Sequence, residues 1–534
     1  MSAACPVLAV HPISRRELLF VVGITLLGAV LRLWDLSAIA VEHFDEGVYA
    51  SNLWFTAEEG YRYPDRHLYA PPLLPTLIEW SLLIFGTASW VPALPSLGAG
   101  VCTIPLIWWM GRKLAGPTGG LAAAMLLAAN DVHILYSRTA LTEAMLCFCM
   151  LLSVSLAHCT FLELKSPPVF SKRSISLAML SGLMAGLAWL TKYNGWLSLA
   201  IIYSGSLAWA VFGRFSLAQW TWLIAHYALI GGVAAAVWLP YVFSLDEFGG
   251  YAAVAANHRQ YFGGLAEWGP ALARQISNQW QLSGWTTLVG VVGVGVLIGS
   301  RLMLHLDSLQ FRWSRSGAWM AASWVIGLSV AIPLYHPYPR LVVPWWVGVL
   351  LVLGAVSAWL QIRVEHYGKA LPARAASIAL LVLGVVAFAG PVLKSPAWER
   401  RKELQIVAED FVAITASRAR DAGLPENEVI FYVYGEPAIF YHISLFDRLA
   451  GPIGHLDFAK PETRLSNAPT YLVVGPHAEE SQLFTEQWEA LGSWFEPVHA
   501  AKVRPSRLVQ LNNVEPEVGE SLDEYALYQL KPAR

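Results

Sequence analysis

The chain has 534 residues, of which 56% are hydrophobic and only 14% charged, and it carries 24 tryptophans. An ordinary soluble chain is about 25% charged, so the composition excludes a soluble globular protein and indicates a polytopic membrane protein. The net charge of −2 gives no footing for a polyanionic partner, and nucleic acid is not expected.

The first apolar run, Leu18 to Leu36, contains Arg32 and has no small-residue cleavage site after it. It reads as an uncleaved anchor rather than a removed signal peptide. Directly beyond it comes Glu42-His43-Phe44-Asp45-Glu46-Gly47-Val48-Tyr49. An acidic pair at the mouth of a span must either face water or do chemistry. The next apolar run, 70–86, is short and opens with Pro71-Pro72, which reads as an interfacial or re-entrant helix under a 37–88 loop. Spanning segments follow near 89–111, 117–136, 139–163, 175–192, 194–212, 221–243, 285–304, 317–335, 341–360 and 375–393, about eleven with the first. The five cysteines, Cys5, Cys102, Cys147, Cys149 and Cys159, show neither a disulfide framework nor metal-ligand spacing, and packing accounts for them.

With 70–86 not spanning, one side of the membrane collects Arg15-Arg16, Arg112-Lys113, Lys165 with Lys172-Arg173, Arg214, Arg301 with Arg312 and Arg315, and Arg363 with Lys369 and Arg374. The positive-inside rule makes that side cytoplasmic. The Asp45-Glu46 loop, the Arg138 turn, the 244–284 loop, the Tyr335–Arg340 turn and the tail then share the extracytoplasmic face. Charged residues become frequent after Pro396, so the chain divides into a membrane domain, 1–396, and a tail, 397–534. In the tail, 399–422 reads as an amphipathic helix and 477–493 as a second helix. Runs of strand length stand at 429–434, 470–474, 499–503, 507–511 and 524–530. The fold class is therefore an α-helical polytopic membrane protein with a small C-terminal extracytoplasmic α/β domain. Gly435-Glu436-Pro437 is a turn rather than a phosphate cradle.

Ionisable groups near the membrane core default to functional hypotheses. Lys192 and Arg340 are isolated cations at outer helix ends, placed to hold a lipid phosphate; snorkelling to headgroups is the alternative. Arg138 and Glu143 flank one turn, five residues apart, so a direct pair is imperfect and Glu143 can face the Asp45 loop instead. His258-Arg259-Gln260-Tyr261 either contacts a sugar or forms a solvated loop. This set suits sugar transfer from a polyprenyl phosphate to a hydroxyl: a carboxylate accepts the acceptor's proton and cations stabilise the departing phosphate.

Five segments carry a resemblance to a known family. Asp45-Glu46 with Tyr49 resembles the acidic motif of a first external loop, and Tyr69-Ala70-Pro71-Pro72-Leu73 the opening of a juxtamembrane helix. Ser137-Arg138 to Glu143 resembles an Arg-then-acid turn, Gly186-Leu187 through Thr191-Lys192-Tyr193 a helix end, and Tyr338-Pro339-Arg340-Leu341-Val342-Val343-Pro344 an Arg-Tyr-Leu-Leu-Pro segment with Leu341 in place of the aromatic. Together they resemble the GT-C membrane glycosyltransferases, the group of dolichyl-phosphate-mannose protein mannosyltransferases, lipid A aminoarabinose transferase and RgtA/B/C/D-like transferases. The resemblance implies a polyprenyl-phosphate-sugar donor with the first-loop aspartate as base. Protein mannosyltransferases have His-Pro-Pro-Leu-Gly-Lys at the second motif; here Ala70 replaces the histidine and the lysine is missing, which argues against a protein acceptor of that kind.

The expected catalytic residues are thus Asp45, Glu46 and Glu143, with Glu46 orienting the loop or a cation. The expected substrate-binding residues are His43, Tyr49, Arg138, Lys192, His258, Arg259, Tyr338 and Arg340. Expected partners are a polyprenyl-phosphate-linked sugar, a glycan, lipid or protein acceptor, and membrane lipids. No cofactor is expected; a divalent metal on His43, Asp45 and Glu46 stays open as an alternative. A lipid-linked sugar flippase and a non-catalytic assembly subunit are the competing functions, and the sugar and acceptor are not legible.

Overall fold

The computed structural model describes residues 13–51, 70–164, 168–284, 315–366, 395–446, 449–456, 468–512 and 522–531. Among these, eight helical segments are long and apolar enough to cross a membrane. They contain helices α1 (Arg15–Leu33), α4 (Leu94–Ala128), α6 (Glu143–Leu162), α7 (Lys172–Thr191), α8 (Leu197–Phe212), α9 (Leu217–Ser244), α12 (Arg315–Ala331) and α13 (Val343–His366). The protein is a multi-pass membrane protein. The expected spans 285–304 and 375–393 lie outside the described residues.

The expected spans 89–111 and 117–136 belong to one broken helix. Within α4 the backbone leaves helical geometry at Ala115 and Gly116, where φ reaches +77° just before Pro117. That conformation suits glycine. The two arms fold back on each other: a Cβ on Gly111 would lie 3.1 Å from Gly120 Cα. The second arm stops at Ala128, and α5 (Asp131–Ser137) restarts behind the Asn130 side chain, which accepts the His133 N–H at 2.8 Å. Arg32, fully buried in α1, donates to the stranded Ala128 and Leu127 carbonyls at 3.0 and 3.2 Å. The intramembrane arginine is thus a cap on a broken neighbour.

Between α1 and α4 lie α2 (Phe44–Ala50) and α3 (Leu73–Phe85). The 13 residues of α3 span about 20 Å, short of the roughly 30 Å hydrocarbon core, which agrees with a non-spanning helix. The segment after α9 contains α10 (Gly250–Arg259) and the amphipathic α11 (Trp268–Leu282).

The tail folds as a five-stranded sheet in the order β2-β1-β3-β5-β4. β1 (Ile430–Tyr434) pairs in parallel with β2 (Leu449–Ile453) and β3 (Thr470–Val474); β5 (Asp523–Leu530) runs antiparallel to β3 and to β4 (Phe495–Val503). The helix Glu403–Asp421 matches the expected amphipathic helix. Two segments differ from expectation. Residues 507–511 belong to a short helix, Arg507–Asn512, because Leu508 and Leu511 at helical spacing are both buried. The strand Leu-Ala-Gly-Pro-Ile at 449–453 was not foreseen; its Gly451 and Pro452 are tolerated because it is the sheet edge. One apolar cluster runs from Ile104 and Leu127 among the spans through Val48 of α2 to Ala438 and Phe431 of the tail. The sheet unit is the expected small C-terminal α/β domain, and it packs directly against the membrane part.

Candidate active site

The helix α2 begins at His43, whose extended backbone (φ −72°, ψ 145°) makes it the N-cap. His43 Nδ1 accepts the Asp45 N–H at 3.1 Å, and Glu46 Oε2 accepts the His43 N–H at 3.0 Å and the Glu42 N–H at 3.2 Å. This reciprocal capping fixes which way each side chain points. Glu46 turns inward: its Oε1 accepts the Ala140 N–H at 2.8 Å and lies 3.8 Å from Arg401 Nη1. It is buried in protein and does not line the large cavity that Asp45 faces. The expected catalytic role for Glu46 gives way to loop orientation, the part of the expectation that its hydrogen bonds support.

Asp45 turns the other way, into a cavity of about 1850 Å³ bounded by α2, the start of the Tyr193–Trp196 turn, α10, the Tyr335–Pro344 segment and the tail sheet. Its Oδ2 accepts from Arg340 Nη1 across 295 residues of chain. Burial by itself would push the Asp45 carboxyl up. That burial is the largest single influence, but the Arg340 guanidinium and smaller contributions from its neighbours, Lys192 among them, together hold it below the usual carboxylate range. The same guanidinium lies 5.0 Å from the Tyr338 ring centroid, over its face. Lys192, at the end of α7, pairs with Glu143 Oε1 at 2.5 Å. Glu143 Oε2 is buried and has no partner among the described residues. Both cations expected to hold a phosphate are present at the cavity, but each is held by a carboxylate.

Burial drives His43 down to about 4. It is neutral, and because Nδ1 accepts, the proton sits on Nε2. His43, Tyr49, His258, Arg259 and Tyr338 all line the cavity. Arg138 does not. It is 1% exposed and donates to the carbonyls of Arg32, Trp34 and Asp35 at 2.8, 2.5 and 3.3 Å. The expected substrate contact is corrected to a cap on the last turn of α1, where unpaired carbonyls need a donor. Of the alternative metal set, Glu46 turns to Ala140 and Arg401, and His43 Nδ1 is committed to the backbone.

Two groups at the cavity had no signal in the sequence. Tail residues Glu436 and His477 pair at 3.0 Å, and the His477 ring lies 4.9 Å from Phe44. Glu42, 5% exposed, accepts the Glu403 N–H at 2.9 Å. Burial raises its carboxyl to about 7, against the pull of Arg401. A raised carboxyl contributes stability that is full below the ordinary glutamate value and lost as pH rises through about 7. Glu42→Gln keeps an acceptor for Glu403 and removes the titration. Its thermal midpoint should match wild type near pH 4.5 and exceed it at pH 8. Equal midpoints at both pH values would show that Glu42 is solvated.

The fold is found again in known structures. ArnT from Cupriavidus metallidurans bound to undecaprenyl phosphate superposes with a TM-score of 0.57 at 14% identity, over 96% of this chain and 97% of that one. The archaeal oligosaccharyltransferase AglB from Archaeoglobus fulgidus, in complex with an inhibitory peptide and a dolichol-phosphate, gives 0.51 at 13% identity, over 86% and 69%. The chain thus has the fold of ArnT and AglB, the kind of fold that the GT-C resemblance implied. The family model described as dolichyl-phosphate-mannose-protein mannosyltransferase matches residues 69–238. No curated protein sequence matches the chain.

Proposed function

We propose that the protein transfers a sugar from a polyprenyl-phosphate donor to an acceptor hydroxyl on the extracytoplasmic face of the membrane. The observation that carries this reading is the pair of cross-linked ion pairs, Asp45–Arg340 and Glu143–Lys192, at the rim of one large cavity. A phosphate arriving between Lys192 and Arg340 gives both cations a new anion. Asp45 loses its partner and gains the freedom to act as base. The acceptor oxygen then attacks the anomeric carbon as Asp45 takes its proton, and the bond from that carbon to the phosphate oxygen breaks. The electron pair leaves with the lipid phosphate, whose charge Lys192 and Arg340 stabilise. Glu143 holds Lys192 in place between turnovers.

The two similar structures are bound to undecaprenyl phosphate and dolichol-phosphate, which supports a lipid phosphate as donor. The lysine and arginine asymmetry supports an extracytoplasmic cavity. A flippase needs a polar path through the whole bilayer, whereas Asp45, Lys192 and Arg340 meet in one cavity beside the tail sheet.

Binding of undecaprenyl phosphate to the purified full chain tests the reading. Lys192→Met and Arg340→Gln should each weaken it about tenfold or more, the loss of one charge-assisted contact. Unchanged affinity in both variants would mean that the two cations only serve their carboxylates.

A further inference from the structure

The cavity wall beside Lys192 is aromatic and held rigid. Tyr193 follows Lys192 directly and is 7% exposed, with its ring edge-on to Trp238 at 6.0 Å, Tyr251 at 6.2 Å and His258 at 5.4 Å. Its hydroxyl shares a hydrogen bond with Tyr241 at 2.9 Å. Behind it Trp238 stacks on Trp189 at 4.9 Å. Tyr251 and His258 stand seven residues apart on α10 and therefore share a face, and both line the cavity with Tyr193. Tyr251 is nevertheless 41% exposed. A preorganised ring with an open face is a surface for the flat C–H face of a sugar.

His258 adds a directional polar group. Val254 O can only accept, so the 2.9 Å contact places a proton on His258 Nδ1. Burial, with Lys192 and Arg340 nearby, lowers the imidazole and keeps it neutral. Nε2 is then an acceptor, suited to a sugar hydroxyl.

Position completes the case. In a sugar phosphate one oxygen joins the anomeric carbon to phosphorus. A donor whose phosphate lies on Lys192 and Arg340 must therefore put its sugar ring within a few ångströms of them. The residue after Lys192 is Tyr193, and His258 lines the same cavity as Lys192, Asp45 and Arg340. Resting on the donor reading above, we propose that Tyr193, Tyr251 and His258 form the subsite for the donor's sugar, an uncharged ring stacked on the open face of Tyr251 beside Tyr193 with a hydroxyl donating to His258 Nε2. The lipid phosphate anchors the donor; this wall distinguishes a loaded lipid from a spent one and favours release of the bare phosphate after transfer.

The experiment compares binding of undecaprenyl phosphate with that of undecaprenyl-phosphoryl mannose, glucose and arabinose, using the full chain in lipid nanodiscs. At least one loaded lipid should bind about tenfold more tightly than the bare one, from one stacking contact and one hydrogen bond. Tyr251→Leu and His258→Leu should each erase most of that margin and leave bare-lipid affinity unchanged; Tyr251→Phe, which keeps the ring, should retain it. Both leucine variants alter an outer helix, and unchanged bare-lipid binding reports that each is folded. If wild type binds bare and loaded lipids alike, or if the margin survives both leucine variants, the subsite is wrong while the donor reading stands. If wild type binds no lipid phosphate at all, the donor reading itself fails.

Discussion

Asp45→Asn should reduce sugar transfer about 10²-fold or more while undecaprenyl phosphate binds at least as tightly as to wild type. The second half follows from the ion pair. Asp45 engages the Arg340 guanidinium, so any phosphate must compete with it. An asparagine keeps the size, cannot accept the proton and no longer competes for the cation. Tighter donor binding with lost turnover is a signature that simple unfolding does not produce. The pH profile adds a check. Because Arg340 and Lys192 hold the Asp45 carboxyl below its ordinary range against burial, the acid limb of kcat/KM should fall below the pH at which an ordinary aspartate titrates. Near-normal transfer by Asp45→Asn would remove the residue from the chemistry.

Much of this site was legible in the sequence, and the illegible parts have physical reasons. Asp45 stood out because a carboxylate at the mouth of a span is costly unless used. Lys192 and Arg340 stood out because they lie on the cation-poor side. Their partners did not, because Arg340 meets Asp45 across 295 positions and Lys192 meets Glu143 across 49. Such pairings belong to helix packing and leave no local pattern. Glu46 and Asp45 are chemically alike neighbours, and only the turn of α2 separates a cavity-facing group from one tied to Ala140 and Arg401. Arg138 read as a substrate contact because its sequence neighbours cannot report that the last turn of α1 ends beside it, with carbonyls in need of a donor. The described spans followed from hydropathy, and the Gly116-Pro117 reversal agreed with turn chemistry. The stop at Ala128 did not, since the apolar run continues and the break depends on Asn130 and Arg32.

The packing of α2 adds a constraint that no motif expressed. The tail helix Pro437–Ser444 lies so close to α2 that a Cβ on Gly47 would overlap the Pro437 carbonyl carbon and the Ala438 nitrogen. Further bonds join the two parts: His442 Nε2 donates to Val41 O at 2.8 Å and the Arg401 N–H to Ala38 O at 2.9 Å. The tail thus sets the height of α2, and with it the position of Asp45 two residues before Gly47.

Gly47→Val should accordingly cut transfer by roughly 10²-fold, since a shift of about 1 Å in a reacting group can cost that much. The overpacking should also destabilise the protein by about 1–3 kcal/mol. Undecaprenyl phosphate binding should fall much less, because Lys192 does not move with α2. Adding Ala438→Gly should restore little, because the clashing atoms are backbone and remain when the methyl is removed. Rescue by that second change would place the conflict at the side chain instead. Full activity in Gly47→Val alone would mean that the tail does not hold α2 in its working position.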